Sequence, residues 1–181
     1  ITLQNQGLLA RQRGDLDRAA RLYKEALKRF QTMNAEGSIM RTCNLLGIVE
    51  RQAGRQAAAR GWHEKARELA HRRGDMQMLG GVAQNLGIVA QQEGEAARQA
   101  GDEPLARLKF QEAVQLSQES LSVWEQTNNR HREADACNNL GWLYLLLSKG
   151  SAEPAEVLAR AEEHAHRAVE IYESLGIISR E

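Results

Sequence analysis

Cys43-Asn-Leu-Leu-Gly47-Ile-Val49, Ala83-Gln-Asn-Leu-Gly87-Ile-Val89 and Cys137-Asn-Asn-Leu-Gly141-Trp-Leu143 are three copies of one phrase. A worn copy, Leu3-Gln-Asn-Gln-Gly7-Leu-Leu9, precedes them, and the four glycines stand 40, 40 and 54 residues apart. A period of this length marks a repeat architecture, in which a unit buries its apolar face only against its neighbours. A second landmark follows each glycine: a small residue, then another seven positions on. The pairs are Ala19 with Ala26, Ala59 with Ala66, Ala113 with Ser120, and Ala161 with Ala168. Glycine and first alanine are 12, 12, 26 and 20 residues apart, so the third unit carries 14 extra residues and the fourth carries 8. The units are therefore 1–39, 40–79, 80–133 and 134–181, a single array.

Each unit reads as a helical hairpin. The first helix (A) carries an apolar pair three apart, Leu46/Val49, Leu86/Val89 or Leu140/Leu143, and is expected to end near Gly14, Gly54 or Gly94. The second helix (B) starts at a polar cap such as Asp15 and ends near Asn34, Gly74, Asn128 or Gly176. A glycine inside helix A costs roughly 1 kcal/mol against alanine, so its recurrence calls for close approach of helix B. The 14 extra residues are close to four helical turns and leave both faces in register. Gly101-Asp102 is a second stop signal after Gly94, and Ala106, Phe110 and Ala113 repeat the helix B spacing one heptad early. Both helices of the third unit should be two turns longer, helix B running from about Glu103 to Gln126, ~36 Å. Ser151-Ala-Glu-Pro154 opens a lengthened helix B in the fourth unit, with proline in the first turn. The two long hairpins are expected to pack together as a ridge, a second contact surface.

Composition agrees. Good helix formers dominate, and no alternating Val/Ile/Thr run marks a strand, so the class is all-α. Lys+Arg and Asp+Glu are equal at 24 each, which gives no basic excess for nucleic acid. No apolar run approaches the ~20 residues that cross a membrane, and no signal peptide is visible. The chain opens at Ile1 rather than Met and ends one residue short of a fifth unit, with Gly176-Ile-Ile-Ser-Arg-Glu181 reading as a linker. Both features point to a piece of a longer array. Cys43 and Cys137 fall on equivalent helices two units apart, beyond disulfide reach, and read as buried small hydrophobes in a reducing, cytoplasmic setting.

Asn-Leu-Gly, a downstream Gly-Asp, then Ala19, Tyr23, Lys24, Glu25, Ala26 and Leu27 resemble the tetratricopeptide repeat. The 40-residue unit resembles the subclass found in kinesin light chains, LGN/Pins polarity proteins and bacterial regulators. Gln6, where leucine recurs, and Ser148, in place of the helix-ending glycine, depart from the pattern. The resemblance implies a right-handed superhelical solenoid of four hairpins, eight helices in all. It also implies a non-catalytic scaffold that holds a protein or peptide in a concave groove lined by helix A.

Positions three before and one, four and five after each glycine form one helical stripe on that face. Its first column is Gln4, Asn44, Gln84 and Asn138, amides able to bond an extended peptide backbone or, equally, a neighbouring helix. Beside it stand Ile48, Ile88 and Trp142, then Arg11, Arg51, Gln91 and Leu145, with Leu146 in the last column. Arg11, Arg41 and Arg51 bias the N-terminal half toward an acidic peptide, because arginine meets carboxylates bidentately. Gly141-Trp-Leu-Tyr-Leu-Leu-Leu147 is apolar all round and should expose Trp142, Leu145 and Leu146. A following repeat, a partner or a second copy of the chain would cover them, so self-association through the fourth unit is an alternative. A sensor array attached to an effector domain is another. The five histidines have no metal-ligand spacing, and no nucleophile elbow, phosphate loop or H-E-x-x-H motif occurs. The chain is expected to have no cofactor and no enzymatic role.

Overall fold

A computed structural model describes residues 2–149 and 151–178 of the chain. Ser179, Arg180 and Glu181, the end of the expected linker, lie outside the described residues. The fold is all-α. The described residues form eight helices, α1 (Leu3–Gln12), α2 (Leu16–Thr32), α3 (Glu36–Gln52), α4 (Gln56–Arg73), α5 (Met76–Gln99), α6 (Glu103–Gln126), α7 (Arg130–Ser148) and α8 (Pro154–Ser174). Successive helices pair as hairpins, with α1 on α2, α3 on α4 and α7 on α8. Among the described residues no helix is long and apolar enough to cross a membrane.

One backbone device punctuates the chain. At the end of α1, Gly14 takes φ +79°, its N–H donating to the Arg11 carbonyl while the Asp15 N–H donates to the Ala10 carbonyl. This crossed pair satisfies carbonyls that a helix end leaves open. It recurs at Asn34, Gly54, Gly74, Gly101, Asn128 and Gly176, with Asn34 and Asn128 at φ +51° and +52°. Asn tolerates this left-handed conformation better than most residues. Asp15, Asp75, Asp102 and Asn129 then cap the following helices, each accepting from the backbone N–H three residues on. At the end of α7, Ser148 donates to the Leu145 carbonyl of its own helix and Lys149 is extended.

Gly94 does not end α5. It is buried in mid-helix, and a Cβ there would lie 2.8 Å from the Phe110 ring. A Cβ on Gly87 would meet Ser117 Oγ at 3.2 Å. Contacts that advance by seven along α5 and retreat by seven along α6 define antiparallel helices in heptad register. The insertion thus adds one heptad to each helix, and α6 has the bounds that the spacing implies.

The chain divides into two compact units, Ile1–Asn85 and Leu86–Glu181, the boundary falling inside α5. The first unit packs Ala19, Tyr23, Leu27, Cys43, Leu46, Val49, Ala59 and Ala66 inside, with Met40, Leu69, Ala70 and Leu79 forming a further cluster. Glu50 is buried there, paired with Lys24 and Arg55. The second unit buries Phe110, Ala113, Trp124, Cys137, Leu140, Leu143, Ala168 and Ile171. Its buried Glu133 is held between Arg130 and Arg167, each 2.7 Å away. A buried carboxylate requires such partners. Both cysteines are free thiols, pushed up in pKa chiefly by burial.

Candidate partner-binding faces

In the first unit the helix A glycines receive a ring from helix B. A Cβ on Gly7 would stand 2.6 Å from Tyr23 Cε1, and one on Gly47 would stand 2.5 Å from His63 Cε1. Facing alanines, Ala19 and Ala59, let the helices close, but rings four residues further on fill the contact. Four residues after each glycine comes an arginine, Arg11 or Arg51. Both are half-buried, and the Nε of each is enclosed without a hydrogen-bond partner. Burial first, then the charge of Arg11, pushes the Arg51 pKa down. Tyr23 Oη and His63 Nε2, also enclosed, likewise have no partner. Among the described residues no acid pairs with either arginine. Two like charges share a partly desolvated surface, an arrangement that an oxyanion would relieve.

His63 joins this surface to the amide column. Its Nδ1 lies 3.0 Å from Asn44 Oδ1, which also accepts from Asn85 Nδ2 at 3.0 Å. A doubly accepting amide oxygen makes Nδ1 the protonated ring nitrogen. Gln4 Nε2 donates to Thr42 Oγ1 at 2.9 Å, linking α1 to α3. Two amides of the column thus bond within the fold, to side chains of neighbouring helices. Gln84 and Ile48 are half-buried, and Arg41 is exposed beside Ser38, 3.4 Å from its Oγ.

In the second unit Ile88 and Gln91 are half-buried, with Gln91 Nε2 donating to Glu95 at 2.8 Å. Here the ring-on-glycine contact sits at Gly94 and Phe110, and the arginine four residues on is Arg98, 4.7 Å above the ring. Sequence reasoning missed Arg98. The signal was its spacing from Gly94, which matches that of Arg11 from Gly7. Unlike the other two, Arg98 is engaged: it bonds both oxygens of Glu103, at 2.8 and 3.2 Å, and the Leu146 carbonyl.

On α7, Asn138 is exposed, as are Trp142 (52%) and Leu145 (39%). Leu146, expected beside them, is instead buried at 9%. An apolar run with no polar side gives no stripe from which to read the outward face, and Leu146 falls on the packed one. Tyr144 faces away too, stacked on His164 at 5.6 Å and accepting from Gln118 Nε2. Between α7 and α8 lies a cleft of about 350 Å³ walled by Trp142, Leu145 and Leu158. Gly141 and Ala165 lie at its base, and Asn138 and Glu162 also line it. The helices nearly touch below: a Cβ on Gly141 would meet the Ala161 carbonyl oxygen at 3.1 Å.

No family model and no curated relative matches the chain. Several solved structures are similar. The DHF58 filament is 20% identical, with 96% of this chain and 91% of that chain covered and a TM-score of 0.47. BtubC (BKLC) from P. vanneervenii is 18% identical over 97% of this chain and 80% of its own, with a TM-score of 0.45. MamA is 17% identical over 95% and 97%, with a TM-score of 0.33. The chain's own periodicity and its consecutive hairpins make it a helical-repeat protein.

Proposed function

We propose that the chain is a non-catalytic scaffold of tetratricopeptide type that holds a protein or peptide on the helix A faces of its hairpins. One observation carries this reading: Arg11 and Arg51 are half-buried, close enough for the charge of one to act on the other, and without an acidic partner among the described residues. Structural arginines are paired, as Arg55, Arg130 and Arg167 are here. An unpaired pair over enclosed Tyr23 Oη and His63 Nε2 suits the carboxylates of an acidic peptide. The aliphatic Ile48 alongside would shield the contact from water. A reducing, cytoplasmic compartment suits the two buried free thiols.

The test is fluorescence anisotropy with a labelled hexaglutamate peptide. Arg11→Ala and Arg51→Ala should each weaken binding by about tenfold, because each strands a charge-assisted contact. Affinity should fall as salt rises. Equal affinity of wild type and Arg51→Ala would sink the assignment.

A further inference from the structure

Three hairpins roof a helix A glycine in the same way. A ring from helix B covers it (Tyr23 on Gly7, His63 on Gly47, Phe110 on Gly94), and the arginine four residues after the glycine flanks that ring. The fourth hairpin has neither group. Its ring position, four residues after Ala161, is Ala165, and its arginine position, four after Gly141, is Leu145. The cleft of about 350 Å³ occupies that place.

Charge changes as well. Glu162 lines the cleft, whereas the residues following Ala19, Ala59 and Ala106 are Ala20, Arg60 and Arg107. Among the described residues Glu162 makes no hydrogen bond or ion pair. At these two positions the fourth hairpin therefore carries neither an aromatic ring nor a guanidinium, and the cleft there is an apolar slot with a free carboxylate.

We propose that this cleft docks a segment of another protein that inserts a large apolar side chain flanked by Lys or Arg. The volume lies in the roughly 300–1,000 Å³ range of ligand pockets. The inserted side chain would cover Trp142, Leu145 and Leu158, all now exposed to water. The flanking cation meets Glu162, and the Trp142 face offers a cation–π contact. Tryptophan in a small apolar slot is the usual anchor of such an interface. The inference rests on the reading of the chain as a peptide-holding scaffold, but uses none of the Arg11–Arg51 surface.

The experiment is nitrogen-15 NMR titration of the chain with three capped hexapeptides that differ only at the centre: Phe-Arg, Phe-Glu and Ala-Arg. The Phe-Arg peptide should shift the Trp142 indole N–H and saturate near ~1 mM, as one anchor side chain allows, with the other two at least about fivefold weaker. Ala165→Phe, which supplies the missing ring from within, should abolish that response. Leu158→Ala, which removes one wall and keeps the Trp142 reporter, makes the same test should Ala165→Phe lose its helical circular dichroism. Glu162→Gln should reduce the preference for Phe-Arg over Phe-Glu, leaving only what the Trp142 face contributes. No Trp142 response to Phe-Arg, or equal binding of Phe-Glu by wild type, overturns the proposal. So does sedimentation showing a dimer that Trp142→Ala dissociates, since a second copy would then fill the cleft. Hexaglutamate binding measured in parallel separates the two readings: it survives if the cleft alone fails and is absent if the scaffold reading fails.

Discussion

Acid should strip stability from the first unit through one side chain, His63. Its ring is wholly buried, with Nδ1 committed to Asn44 and Nε2 enclosed without a partner. Burial, and then the Arg51 charge, pushes its pKa down from 6.5 to about 4. In the unfolded chain the ring regains the ordinary value near ~6.5. Between those two values the unfolded chain binds a proton that the folded chain refuses. The contribution is therefore fully present above about pH 6.5 and is lost progressively as pH falls toward 4. At about 1.4 kcal/mol per unit, the loss by pH 4 is about 3 kcal/mol. Carboxylates titrate in the same range, so the measurement must be a difference. His63→Phe places in the second hairpin the residue that Phe110 supplies in the third, and cannot titrate. Urea unfolding at about pH 7.5 and about pH 4 should show the wild type losing about 3 kcal/mol more than the variant. Equal losses would refute the assignment of the low pKa to a buried, structurally neutral ring.

Two glycine substitutions should act with opposite signs. Gly47→Ala drives a Cβ into the immovable His63 ring and should destabilise by about 1–3 kcal/mol by thermal unfolding. Gly61→Ala, on an exposed face of α4 with nothing within 4 Å, should stabilise by about 0.5–1 kcal/mol. Tyr172 donates to Asp135 at 2.7 Å, and burial, with that bond second, pushes its phenol up to about 12. The folded state then keeps a proton that the unfolded state loses, so stability present below pH 10 should drain away as pH rises toward 12. An ultraviolet titration should lose this late phenol in Tyr172→Phe.

The period of the phrase around Gly47, Gly87 and Gly141 made the hairpins legible, because a glycine tolerated inside a helix reports a close neighbour. The length of α6 followed from Gly101 and from heptad arithmetic. Gly94 misled because one residue type serves two purposes: it can end a helix in a left-handed turn or admit a ring at mid-helix. Only the partner helix decides between them. Asn44 and Gln4 lie on the expected stripe, yet their bonds to His63 and Thr42 depend on which helix lies alongside, which spacing does not encode. The unpaired state of Arg11 and Arg51 was likewise invisible, since it depends on where every acid ends up.

The paired contacts Gly87–Ser117 and Gly94–Phe110 make hairpin length a quantised variable. Excising residues 88–94 together with 111–117 would set Phe110 opposite Gly87 and bring Arg98 four residues after it. The product would be a 40-residue unit of the same pattern as its two predecessors. Growth or trimming by seven residues per helix thus preserves the pairing of α5 with α6, while an increment far from whole turns would rotate one helix against its mate. A family built this way can vary its reach in steps without redesigning its interior.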